Sequence, residues 1–234
     1  MITSNAGRTI INKLSDFYTV GTLCLAICVV SWTAAAAQPP AAPVRKSAEA
    51  PALPAPGTYK IDPRHSFAYF SAWHHLVGRV RGRFDQVSGT ITVSPDPAAC
   101  SIDVAIDVAS ISTQVPQRDD DLRGEAYFDV KKFLTMTYQG RGIHRISGDL
   151  WRMDGSLTMH GVTKVVPLTF KYNGVFADKD PNHPRRVAFH ATAATKRAEF
   201  GMGARDNAAE VADSTAPDVD IEIDVEADGN PPTP

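Results

Sequence analysis

Two stretches decide the fold: Ile102-Asp103-Val104-Ala105-Ile106-Asp107-Val108 and Val219-Asp220-Ile221-Glu222-Ile223-Asp224-Val225. In both, every second residue is a β-branched aliphatic, and acidic residues fill all but one of the gaps. A period of two sends successive side chains to opposite faces of a strand, so each strand has one dry and one wet face. Looser versions of the pattern predict further strands at Tyr59–Ile61, Phe67–His75, Val80–Phe84, Gly89–Ser94, Thr135–Arg145, Asp149–Met159, Val165–Phe176 and Arg186–Thr195. Pro, Gly, Asn and Asp punctuate them, as in Ser94-Pro95-Asp96-Pro97. The chain is therefore all-β. An antiparallel sheet closed on itself is filled either by its own side chains or by a ligand, and that choice is the functional question.

One segment breaks the rule. Pro116 suits a first helical position, Asp119, Asp120 and Asp121 complement a positive helix start, Arg123 the negative end, and Gly124 stops it. This predicts one short helix near a barrel mouth.

The flanks do not share the alternation. Arg8 and Lys13 precede a nearly wholly apolar Tyr18–Trp32, followed by Ala34 to Ala37, a three-part pattern that reads as a cleaved export signal over residues 1–37. The alternative is an uncleaved inner-membrane anchor, although the apolar run is short against the roughly 20 residues of a membrane span. Residues 38–56 are rich in Pro and Ala and form an expected linker. Residues 228–234 are expected to be a disordered C-terminal tail. One domain, 57–227, remains, long enough to build a single core.

Of three cysteines, Cys24 and Cys28 fall in the expected signal, so only Cys100 remains and no internal disulfide forms. The whole chain carries 24 basic and 26 acidic residues, and removal of Arg8, Lys13 and Asp16 leaves 22 and 25. That balance argues against a nucleic-acid partner, which needs a basic face. Arg79, Arg81 and Arg83 share one strand face, read as a solvated surface or as a seat for transient contact with a membrane. Seven histidines show no metal-ligand spacing, and Ser66 beside His65 cannot act as a pair because adjacent strand residues point apart. Catalysis is not expected.

Specific residues then suggest a family. His65-Ser66, Phe70, His74 and Val80-Arg81-Gly82-Arg83-Phe84 form a first block. Ile111-Ser112-Thr113, Arg118-Asp119, Leu122-Arg123 and Phe128-Asp129 form a second, Gly155 to Lys164 a third, and Phe200-Gly201-Met202 a fourth. In this order they resemble the YceI-like proteins, exported polyisoprenoid-binding proteins of bacteria, over Tyr59 to Glu226. Two positions depart from that pattern: Asp121 stands where the family usually has histidine, and Leu134 where it usually has proline.

The resemblance implies an extended, antiparallel, eight-stranded lipocalin-like barrel whose apolar lumen takes a polyprenyl lipid or an isoprenoid quinone, with no covalent cofactor, in the periplasm. It places Ala68, Phe70, Ala72 and His74 inward, whereas size alone favours the opposite face, Phe67, Tyr69 and Trp73. Further lumen candidates are Val104, Ile106, Leu157, Met159, Leu168, Phe170, Ile221 and Ile223, with Leu122 and Phe128 beside the helix. His74, Arg118 and Asp119 are expected to choose the head group; the other reading of Arg118 and Asp119 is a cap and salt bridge that fix the helix. The competing function is a ligand-free structural or stress-related periplasmic module, a homodimer joined through the outer aromatic face.

Overall fold

A computed structural model of the chain describes residues 53–176, 184–203 and 215–229, so the expected signal and most of the expected linker lie outside the described residues. In chain order the elements are β1 (Gly57–Ile61), β2 (Phe67–His74), β3 (Gly78–Phe84), β4 (Val87–Val93), β5 (Ser101–Asp107), β6 (Ile111–Ser112), α1 (Pro116–Arg123), β7 (Thr135–Arg141), β8 (His144–Ser147), β9 (Leu150–Met159), β10 (Val162–Phe176), β11 (Arg185–Lys196) and β12 (Thr215–Gly229).

The last strand closes the ring. On one side β12 pairs with β11 from Lys196↔Asp218 to Arg185↔Gly229. On the other it pairs first with β2, from Thr215↔His74 to Asp224↔Phe67, and then with β1 at Ala227↔Ile61 and Asp228↔Lys60. β1 and β2 are thus two halves of one broken strand. So are β3 and β4, which pair with β2 and β1, and β5 and β6, which pair with β4 and β3. With β7, β9 and β10 completing the path, these make a closed antiparallel barrel of eight strands, as the alternation and the resemblance predicted.

Two of the breaks have a local cause. Pro63 has no N–H to give a ladder, and the chain leaves the sheet there. Ser66, fully buried, repairs the gap: its hydroxyl donates to the Glu226 carbonyl and accepts from the Glu226 N–H, both at 3.1 Å. Beside it, Arg186 reaches Asp62 at 2.9 Å, Glu226 at 3.1 Å and Asp228 at 2.8 Å. A hydrogen bond from Arg64 holds the buried Asp62 carboxyl well below the usual carboxylate range, against the opposing effect of desolvation. The β5–β6 break is a turn at Val108–Ser110 whose start is capped by Asp107, accepting from Ala109 N–H at 2.9 Å.

Three expectations need correction. The single strand read at Thr135–Arg145 is two, because Gly142 takes a left-handed turn (φ 71°) and β8 then pairs only with β9, outside the ring. Asp228 and Gly229 are not tail but the end of β12, where Asp228 accepts from Arg186 at 2.8 and 3.0 Å. The linker also ends earlier than composition implied: Leu53 packs on the core, Pro54 is buried, and Ala55 accepts a hydrogen bond from the Tyr59 hydroxyl at 2.6 Å. A Pro- and Ala-rich segment cannot order itself, but one leucine with an apolar surface to cover can anchor its end.

Candidate ligand-binding cavity

The inward residues of this barrel are apolar yet incompletely buried. Phe70, Ile91, Ile102, Val104, Phe170 and Ile223 all pack against the core but are only half-buried. In a filled barrel such side chains would be fully covered. Their free surface faces a cavity of about 680 Å³ lined mostly by carbon, within the range of roughly 300–1,000 Å³ typical of ligand sites. The cavity runs from Leu53, Val93, Cys100 and Ile143 at one end to Ala72, Val80, Thr195 and Thr215 at the other.

The register of β2 settles which of its faces is inside. Ala68, Phe70 and Ala72 line the cavity, and Ala68 and Ala72 are buried. Phe67 and Trp73 lie outside, each under a guanidinium from β3: Arg83 is 4.7 Å from the Phe67 ring centre and Arg79 is 5.1 Å from that of Trp73. Arg79 also donates to Ser71 Oγ at 2.5 Å and pairs with Asp220, while Arg83 pairs with Asp85 at 2.6 Å. The arginine stripe is thus an outer face that covers the aromatics, and the larger side chains are out because their partners are.

Most candidate residues converge on the same space. Val104 and Ile106 enter from β5, Leu157 and Met159 from β9, Leu168 and Phe170 from β10, and Ile221 and Ile223 from β12. Leu122 of α1 and Phe128 just after it line the cavity too, Phe128 edge-on to Phe84 at 5.5 Å. His74 does not reach the cavity: it is exposed at the end of β2, against His75. Asp119 is buried but turned away, accepting from the Thr113 N–H at 2.7 Å and the Thr113 hydroxyl at 2.5 Å. Arg118 lines the cavity while its guanidinium donates to the Thr113 hydroxyl and carbonyl at 2.8 and 3.0 Å. For Asp119 the clamp that fixes the helix is what the geometry shows; the exposed end of β2 and a buried clamp keep His74 and Asp119 off the wall.

The charged residues of the lining, Arg118, Asp120, Asp121, Glu125 and Arg197, gather at one end and form a polar mouth. Arg197 belongs there because its guanidinium lies 5.9 Å from the Tyr127 ring centre and donates to the Thr215 carbonyl at 2.7 Å. Asp121, the departure from the family pattern, sits on this rim. Leu134, the other departure, is 66 % exposed, and the fold uses only its carbonyl, which accepts from Val108 N–H at 3.0 Å. A proline and a leucine serve that bond equally.

Several wall residues escaped the sequence reading. Tyr138 lies over Gly155 with its hydroxyl donating to the Val166 carbonyl at 3.0 Å, and Met153 lies against Gly140; a Cβ at either glycine would collide with that neighbour. Gly140 and Gly155 face each other across β7 and β9, so two missing side chains make room for two large ones. Burial pushes the Tyr138 hydroxyl up to about 12. Inward alternation of Met136, Tyr138 and Gly140 was the signal available. Cys100 also lines the cavity, with its thiol near the Ser94 backbone.

Residues 59–227 match the YceI-like domain. The chain belongs to the YceI-like family. Among curated YceI-like relatives it is 33 % identical over 147 residues to a UPF0312 protein of Yersinia pestis, covering 62 % of this chain and 75 % of that one. Among solved structures it is similar to the Campylobacter jejuni YceI protein, with 28 % identity, a TM-score of 0.57, and coverage of 66 % of this chain and 87 % of that one. At 17 % identity it shares the fold of a polyisoprenoid binding domain from Saccharophagus degradans, with a TM-score of 0.57 over 74 % and 98 % of the two chains. Outside the YceI-like lumen, one set of metal-capable donors stands out among the described residues: His190, Glu222 and Asp224 lie within 4.8 Å of one another on β11 and β12. Their neighbours Ala191, Ile221 and Ile223 face the cavity, so this set is on the outer wall, where His190 and Asp224 form a cross-strand pair at 2.9 Å.

Proposed function

We propose that the protein binds a long apolar isoprenoid, a polyprenyl lipid or an isoprenoid quinone, inside the barrel and shields or carries it through the periplasm. The observation that carries this reading is the hollow interior: inward aliphatic and aromatic side chains left half-buried around about 680 Å³ of apolar space. The description of the Saccharophagus degradans domain as polyisoprenoid-binding points to the same ligand class, and the signal-like residues 1–37 point to export.

The energetics suit a carrier. At about 0.3 kcal/mol per heavy atom, a tail of roughly 40 atoms gains on the order of 12 kcal/mol relative to water. The competitor in a cell is the bilayer, where the tail is already dry, so net transfer is near balance and the ligand can be released as well as taken up.

The test is mass spectrometry of the organic extract from protein purified in folded form out of its own host, beside a denatured control. A stoichiometric prenyl lipid or quinone is expected. An extract that stays clean after incubation with native membranes would overturn the proposal.

A further inference from the structure

The hairpin between β2 and β3 ends in an apolar point. Leu76 is 64 % exposed and Val77 86 %, and Trp73, at 44 %, stands on the outer face just before them. Soluble proteins expose single apolar residues freely, but three large ones on one short tip mark a contact surface. The tip is also held in an uncommon backbone: His75 and Leu76 both have left-handed φ, 49° and 56°. A bulky residue such as leucine adopts that region rarely and at a cost, so the fold spends stability to hold Leu76 outward.

Position supplies the second argument. Ala72 and Val80, the cavity-lining residues that flank the hairpin, lie at the same end as the polar mouth formed by α1 and Arg197, and His74 pairs with Thr215 on that rim. Val115, 42 % exposed at the start of α1, follows β6, the strand beside β3. Trp73 under the guanidinium of Arg79, with the exposed Arg81, His74 and His75 around it, is an amphipathic set: ring and aliphatic bodies with cationic or polar heads. Such combinations sit at the boundary between head groups and acyl chains, where one part is dry and the other wet.

We infer that the β2–β3 tip is a membrane-docking point that seats Trp73, Leu76 and Val77 in the surface of a phospholipid bilayer and brings the barrel mouth against it. This rests on the proposed isoprenoid-carrier function, because a ligand at home in the bilayer must enter and leave through that mouth. It adds how the ligand avoids water on the way.

The test places a diazirine photo-crosslinking residue at Leu76 in the full chain and, separately, at Ile146 on β8, which is 49 % exposed but at the opposite end of the barrel. Each protein is illuminated with vesicles of phosphatidylethanolamine and phosphatidylglycerol. Lipid adducts are expected at 76 and not at 146. No lipid adduct at 76, equal yields at both positions, or adducts to a second protein chain would overturn the inference. A Leu76→Ser, Val77→Ser double variant is then expected to transfer isoprenoid between vesicles at least about tenfold more slowly, with unchanged ligand per protein. Loss of bound ligand in the wild type would instead count against the carrier reading, while the crosslinks still report on docking.

Discussion

The Ser66 hydroxyl serves both backbone groups of Glu226, donating to its carbonyl and accepting from its N–H at 3.1 Å each. One side chain thereby replaces the ladder step that the chain loses at Pro63, and it does so in complete burial. Ser66→Ala leaves the Glu226 N–H unsatisfied, while the Glu226 carbonyl keeps the Asp62 N–H at 2.9 Å, at a cost of about 2 kcal/mol. A fall in Tm of about 4–8 °C is expected by calorimetry. A melt within a degree of wild type would show that water replaces the hydroxyl.

Ala72 faces the cavity and Ser71 faces out, so the two positions separate blockage from mere bulk. Ala72→Trp should fold and lose at least about 90 % of its bound isoprenoid, since the ring occupies the ligand's space. Ser71→Trp should retain it. Extraction and mass spectrometry of both variants decide, and equal retention would mean that the ligand lies elsewhere.

Acid should act through Asp62. Its carboxyl is held below the usual range by the hydrogen bond from Arg64, so the native state favours the charged form. A group depressed in the folded state stabilises fully above its unfolded pKa of about 3.9 and loses that contribution as pH falls further. Urea midpoints measured between pH 6 and pH 2.5 should drop below about pH 4 in the wild type. Asp62→Asn should lower the midpoint at neutral pH and flatten the acid limb; a limb of unchanged slope would place the acid sensitivity in other carboxylates.

Gly155→Ala drives a Cβ into the Tyr138 ring. Overpacking of this kind costs about 1–3 kcal/mol. Tyr138→Leu also destabilises, since it removes the hydroxyl bound to Val166, but the double variant should recover part of the sum. A double-mutant cycle in urea with coupling below about 0.3 kcal/mol would show that the ring moves aside freely.

The closed barrel could be read from the sequence because its signal is local: alternation in Ile102–Val108 and Val219–Val225 needs no knowledge of partners. So could α1, whose Pro116 start and Gly124 stop are chemical properties of single residues. The face of β2 could not be read from size, since Phe67 and Trp73 are outside only because Arg83 and Arg79 arrive from the next strand to cover them. His74 misled because it is the last residue of β2, so the period of two still holds there but the position is already exposed beside the turn. Asp119 misled because its partner, Thr113, sits on the segment before the helix, and a buried carboxylate looks the same in a sequence as one aimed at a ligand. Tyr138 and Met153 were hidden because their places are made by glycines on neighbouring strands.

Because β12 is the strand that joins β11 to β1 and β2, the interior has no continuous wall until the last described segment of the chain is in place. On the proposed carrier reading, a polypeptide emerging in order from its first residue therefore cannot acquire cargo while it is being made. Loading waits for the whole domain to arrive, and until then the apolar inner face of every earlier strand is an open surface prone to aggregation.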